Sequence, residues 1–174
     1  DALNQGQVIA YPTEAIYGLG CDPWNPDAIE RLLNMKRRPI DKGFILVTDD
    51  FDKVKDIIEP VPAIQLQQAL DTWPGHVTWL FPARHDTPLC LRGTHTSIAI
   101  RVSAHPIVRE LCHFFGKAIV STSANRHDQP PATSKNDVER IFPHETGYII
   151  DASVGNHDAP SQIRDVLTGD IIRS

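Results

Sequence analysis

Phe44-Ile45-Leu46-Val47 is a continuous apolar run of strand length, without the polar alternation of a strand that turns one face to water. Such a run belongs in a strand covered on both faces, and that commits the chain to layers: a sheet with other elements packed above and below it. Further strand-length runs recur at Val8-Ile9-Ala10, Val77 to Phe81, Ile98 to Val102, Ala118-Ile119-Val120 and Tyr148-Ile149-Ile150. Segments of helical period separate them. Asn25-Pro26 reads as an N-cap followed by proline at the first helical position, with Ile29, Leu32 and Leu33 at helical spacing and a stop before Pro39. Pro106 to Phe115 places Ile107, Val108, Leu111, Cys112 and Phe115 on one stripe, with Gly116 set to end the helix. Ser134 followed by Asp137 approximates a capping box, and Thr168-Gly169-Asp170 reads as a turn between two short apolar runs. The pattern predicts an α/β fold, a single-domain twisted open mixed sheet with flanking helices over residues 1–174.

At 174 residues, 41% hydrophobic and 22% charged, the chain can bury one core without disulfides or metals. Its net charge of -5 argues against a surface built for non-specific nucleic-acid binding, yet Lys36-Arg37-Arg38 and Lys42 concentrate positive potential locally. A small polyanion such as a nucleotide suits that cluster. Cys21, Cys90 and Cys112 are odd in number and widely spaced, so free thiols in a reducing cytoplasm are expected. No apolar run reaches membrane-spanning length, and Asp1 to Gln5 lack the features of a signal peptide, so no membrane partner is expected. The eight histidines show no metal-ligand spacing, most reading as surface or loop residues, and no protein side chain is assigned to a metal. Trp24, Trp73 and Trp79 read as core or rim residues.

Four segments carry candidate chemistry. Tyr11 to Gly20 follows a buried strand with hydroxyls, a carboxylate and two glycines, which by itself is a structural turn as readily as a site. Lys36 and Arg38 either offset the negative end of a helix dipole or turn inward together onto phosphate oxygens, leaving Arg37 solvated. Ser121-Thr122-Ser123-Ala124-Asn125 puts three hydroxyls and an amide at the end of a buried strand, as a capped turn or as donors to a nucleotide. Arg101 lies inside the apolar strand Ser97 to Val102 and needs an anion, either an internal carboxylate or a substrate carboxylate held bidentately.

In this order and spacing these segments, with Ser161-Gln162-Ile163-Arg164-Asp165, resemble the YrdC (TsaC) family of threonylcarbamoyl-AMP synthases, in its short, single-domain form. The family pattern Lys-x-Arg with a later Ser-x-Asn maps onto Lys36, Arg38, Ser123 and Asn125. The resemblance implies a YrdC-like fold and a nucleotidyltransferase reaction in which L-threonine and bicarbonate or CO2 form a carbamate that attacks the α-phosphate of ATP. The products are threonylcarbamoyl-AMP and pyrophosphate, for threonylcarbamoyladenosine modification of tRNA by downstream threonylcarbamoyl-transferase proteins. It further implies Lys36 and Arg38 as catalytic cations, ATP on Lys36, Arg38, Ser121, Ser123 and Asn125, and Mg2+ bridging ATP oxygens. Threonine falls to Thr13 and Arg101, with Thr78 and Ser161 as further pocket residues. Ala15, Ser103 and Arg126-His127-Asp128-Gln129 depart from the family pattern. Two alternatives stand beside this reading: a non-catalytic RNA-binding or ribosome-assembly factor using the same basic concavity on RNA or tRNA, and a carbamoyl-adenylate domain serving another acceptor.

Overall fold

The computed structural model describes residues 1–174, and its first helix, α1 (Pro26–Lys36), starts where the Asn25 side chain accepts a hydrogen bond from Ala28 N at 3.2 Å. Proline at the first helical position loses nothing by lacking an N–H there. The helix ends at Arg37, in the left-handed region at φ 51° and exposed to solvent, while the next residue's N–H returns to Leu33 O. The other helices are α2 (Ala63–Leu70), α3 (Leu89–Arg92), α4 (Pro106–Phe115) and α5 (Lys135–Ile141). Gly116 caps α4 at φ 78°, and the Ser134 hydroxyl accepts from Asp137 N at the start of α5. No helix is long and apolar enough to cross a membrane.

Nine strands form one mixed sheet: β1 (Ile9–Pro12), β2 (Tyr17–Gly20), β3 (Ile45–Thr48), β4 (Val77–Pro82), β5 (Ser97–Val102), β6 (Ile119–Ser123), β7 (Tyr148–Ile149), β8 (Gln162–Asp165) and β9 (Ile171–Arg173). Their order is β7-β1-β2-β6-β3-β5-β4-β8-β9. The Phe44–Val47 run lies at the centre as β3, parallel to β5 and antiparallel to β6, and covered on both faces.

Alternation along the strands sorts the core. Val8, Ala10, Leu46 and Val120 face the larger cluster, with α1 and the Phe51, Trp79 and Phe81 aromatics. Ile9, Tyr11, Val47 and Ile119 point the other way, under Val108 and Cys112 of α4. That second cover is partial. Ile45 pairs with Ser121 and with Ala99, one register step beyond the rows that α4 covers, and there the sheet face opens into a cleft.

Two expectations need correction. Tyr17 to Gly20, read as part of a loop, is a full sheet strand, because its glycines are forced by contact: a Cβ on Gly20 would stand 2.4 Å from Val120 O. Ser121 to Ser123, read as residues beyond a strand, continue β6 and pair with Ile45, Leu19 and Gly18, so the hydroxyls stand on the sheet itself. Strand β8, α2, α3 and the 3-10 turns at Phe51–Ile57 carry no clear signal in the sequence.

Candidate active site

The open half of the sheet face is a cleft of about 470 Å³ whose floor is Ile45, Leu80, Ala99, Ser121 and Ile163. Five cations line it, Arg38, Lys42, Arg92, Arg101 and Arg173, together with His76 and His95, and no carboxylate does. In a chain of net charge -5 this gathers positive potential at a site of small-molecule size. Hydroxyls from Thr13, Ser97, Ser121, Thr122, Ser123 and Ser161 share the wall. Cations for charge and hydroxyls for orientation are the equipment for a phosphate-bearing ligand.

Lys36 is buried behind this wall rather than standing on its rim. Its Nζ donates to Ser123 O at 2.5 Å, Asn125 O at 2.8 Å and Asn125 Oδ1 at 3.1 Å, which occupies all three of its protons. Burial, and secondarily the Arg38 charge, push its pKa down to about 8. Asn125 Oδ1 also accepts from the Ser123 hydroxyl at 2.6 Å, and Asn125 Nδ2 donates to Gln129 O at 2.7 Å, so the turn after β6 is one hydrogen-bonded unit with Lys36 at its centre. Arg38 faces the cleft. Its Nη2 donates to Gly43 O at 3.0 Å, its guanidinium lies over the Phe44 ring at 5.4 Å, and its buried Nε has no partner.

Lys36, Ser123 and Asn125 therefore touch, and Arg38 shares the cleft with Ser121 and Ser123. Arg126, part of the departing loop, ties the turn down by donating to Met35 O at the end of α1, pairing with Glu145 and lying over Phe142 at 4.9 Å.

Arg101 finds an internal anion: its Nη2 is 3.2 Å from Glu14 Oε2, and both side chains are buried. Of the two partners weighed for it, the internal carboxylate is in place, and the guanidinium nonetheless lines the cleft with its Nε unpartnered. The Glu14 Oε1 accepts from the Ser103 hydroxyl at 2.7 Å, which gives the serine at that departing position a role. Burial alone would raise the Glu14 pKa, but Arg101 and Ser103 outweigh it and hold the carboxyl below its ordinary value. Thr13 lines the cleft with its hydroxyl donated to Ile16 O at 2.8 Å. Thr78 is fully buried and shares a 2.8 Å hydrogen bond with Ser161, which does face the cleft.

Arg173, Arg92, Ser97 and His76 join the site without being anticipated. Arg173 sits on the last strand, donating to Ser161 O at 2.8 Å, and nothing local in Ile171-Ile172-Arg173 marks it. The histidines of the wall were readable only through the pairing of β4 with β5 and β8.

The Sua5/YciO/YrdC family model, described as telomere recombination, matches residues 1–174. A threonylcarbamoyl-AMP synthase of Coxiella burnetii is 44% identical over 98% of this chain and 92% of its own length. A threonylcarbamoyl-AMP synthase of Nitrosococcus oceani is 48% identical over the same shares. Among solved structures, P. abyssi Sua5 complexed with L-threonine superposes with a TM-score of 0.88 at 28% identity over 94% of this chain, which spans 48% of that longer one. With the family model matched from the first residue to the last and relatives of such identity along nearly all of it, the chain belongs to the Sua5/YciO/YrdC family.

Proposed function

We infer that the protein is a threonylcarbamoyl-AMP synthase, a nucleotidyltransferase that condenses L-threonine, bicarbonate or CO2 and ATP, with all 174 residues forming one catalytic domain. The observation that carries this is the cleft itself: five cations and a wall of hydroxyls around a volume suited to a nucleotide with a small amino acid beside it. The curated relatives bearing that name, and the threonine complex of P. abyssi Sua5, support the same reading.

In this reading the carbamate oxygen of N-carboxythreonine attacks the α-phosphorus of ATP in line, and the bond to pyrophosphate breaks. No protein nucleophile is needed; positioning and charge do the work. Arg38 and the Lys36 charge behind it offset the phosphate negative charge, and the Ser121 and Ser123 hydroxyls orient the nucleotide. Asn125 acts by holding the Ser123 hydroxyl and Lys36 in place. Thr13, Arg101 and Ser161 take the threonine side, with Arg101 directed to the carboxylate and Thr78 supporting Ser161. The lining offers cations and hydroxyls but no carboxylate, so Mg2+ fits as part of the nucleotide substrate, carried on ATP oxygens, rather than as an ion bound by the protein. The setting is the cytoplasm, with transferase proteins downstream to receive the adenylate. The test is pyrophosphate release with threonine and bicarbonate each omitted in turn. Release needing both supports the reading, and release indifferent to threonine, or tight salt-sensitive RNA binding without turnover, refutes it.

A further inference from the structure

The Arg101 guanidinium is contacted on both arms, by an ion pair on one and a hydrogen bond on the other. Glu14 holds Nη2, and on the other arm Nη1 stands 3.4 Å from His76 Nδ1, a long hydrogen bond. His76 lies at the start of β4, lines the cleft, and has its other nitrogen committed: Nε2 is 2.8 Å from Ala159 O. A carbonyl oxygen only accepts, so Nε2 carries the proton and Nδ1 presents its lone pair to Arg101. The ring plane is set by His157, stacked on it with centroids 4.1 Å apart and planes 19° from parallel. His157 is in turn anchored through its backbone N–H to Glu14 O at 3.0 Å, two residues beyond the Gly155 N–H bond to Thr13 O at 2.9 Å. The segment around residues 155–159 thus ties the Thr13–Glu14 loop to His76.

We propose that His76 is a positioning residue for Arg101, its Nδ1 lone pair and the stacked His157 ring together setting the plane in which the guanidinium meets the carboxylate of the amino-acid substrate. A guanidinium on a strand can swing about its terminal torsions; an ion pair on one arm and a hydrogen-bond acceptor on the other restrict that freedom and leave the charge-bearing edge aimed before the substrate arrives. A neutral ring is required. Burial, with Arg101 and His157 adding to it against the Ala159 carbonyl and Glu14, keeps the His76 pKa below that of an ordinary imidazole. The other charged groups facing this cluster are Arg173, whose charge acts on Arg101 from β9, and buried His105, which feels both Glu14 and Arg101.

This proposal rests on the threonine reading, and its test separates the two. Asparagine at position 76 places an acceptor near Nδ1, whereas glutamine reaches toward the Nε2 position, so the two variants divide the two contacts. Threonine-dependent pyrophosphate release should show the threonine KM raised about fivefold in His76→Ala and His76→Gln, close to wild type in His76→Asn, and with the ATP KM unchanged in all three, the size of one ordinary hydrogen bond, as the 3.4 Å length implies. His157→Phe, which keeps a flat ring, should behave as wild type. An unchanged threonine KM in His76→Ala, equal increases for threonine and ATP, or loss in His76→Asn with recovery in His76→Gln would overturn the proposal. Independently of turnover, 15N NMR of wild type should find His76 protonated at Nε2, with a pKa that rises in Arg101→Met. A Nδ1–H tautomer, or no response to Arg101→Met, would overturn it even if the enzyme proved inactive toward threonine, whereas inactivity with the expected NMR result would fault only the assignment of substrate.

Discussion

Raising the pH from 7.5 to 9.5 should increase the contribution of Lys36 to stability and make the protein a poorer binder of ATP. In the folded chain its pKa is pushed down to about 8, against 10.5 for the ordinary side chain. Below pH 8 both folded and unfolded states hold the proton, and the folded state carries the full cost of a buried ammonium. Between 8 and 10.5 the unfolded chain binds more protons than the folded one, so this group's contribution to stability rises with pH, by about 1.4 kcal/mol per unit and about 2 kcal/mol by pH 9.5. Lys36→Met keeps the stem and removes the titration. The difference between the two proteins in urea unfolding, compared at pH 7.5 and 9.5, isolates this group from all others. ATP should weaken over the same window by at most about tenfold per unit, and its binding at pH 9 should take up about one proton, read calorimetrically in buffers of different ionisation enthalpy. If wild type and Lys36→Met shift equally between the two pH values, the depressed pKa is wrong. If the stability shift is present but ATP affinity is flat with pH, the Lys36 charge is structural and does not reach the phosphates.

Arg38→Ala should lower pyrophosphate release on the order of a hundredfold with little change in unfolding midpoint, because the side chain faces the cleft; near-normal turnover would return it to a helix-end counter-charge. Glu14→Ala should cost about 3 kcal/mol in chemical denaturation by leaving buried Arg101 without its carboxylate, and a loss under about 1 kcal/mol would show that solvent or another group compensates. Gly20→Ala forces a Cβ to within 2.4 Å of the Val120 carbonyl and should destabilise by about 3 kcal/mol or prevent soluble expression; a normal unfolding curve would contradict the packing of β2 on β6. Native Cys21 and Cys112, buried with thiols pushed up to about 12, should stay unmodified by iodoacetamide at pH 7.5 in mass spectrometry, and rapid labelling of either would refute their burial.

Much of this architecture is written locally. Asn25-Pro26 and Pro106 with Gly116 place two helices because caps act on their own neighbours, and the Phe44–Val47 run announces a central strand because burial on both faces excludes polar residues. Illegible parts have non-local causes. Gly18 and Gly20 look like a loop until Tyr11 is known to lie against both and Val120 against Gly20, and the Ser121–Ser123 hydroxyls look like a turn until β2 and β3 are laid beside them. The site follows the same rule. That Arg101 needs an anion can be read from its apolar flanks; that Glu14 supplies it cannot, since the two meet only through the sheet. From the sequence Lys36 is either a helix-end counter-charge or a cation turned inward, and its burial depends on the turn at Ser123 to Asn125 folding over it.

The strand order has a consequence for how the molecule comes off the ribosome. Strand β2 pairs with β6, about a hundred residues later, and β1 pairs with β7, so the first hairpin emerges with both of its outer edges unsatisfied. Strand β3 likewise waits for β5 and β6 on its two sides. Until the stretch carrying Ser121 to Asn125 has left the exit tunnel, Lys36 lacks the carbonyls that receive its ammonium and Gly20 lacks the Val120 carbonyl on its outer side, so the nascent chain carries an open hairpin through most of its synthesis. Folding should be late and abrupt, with a protease-resistant core and a closed cleft arising together in the last fifth or so of translation rather than growing with chain length.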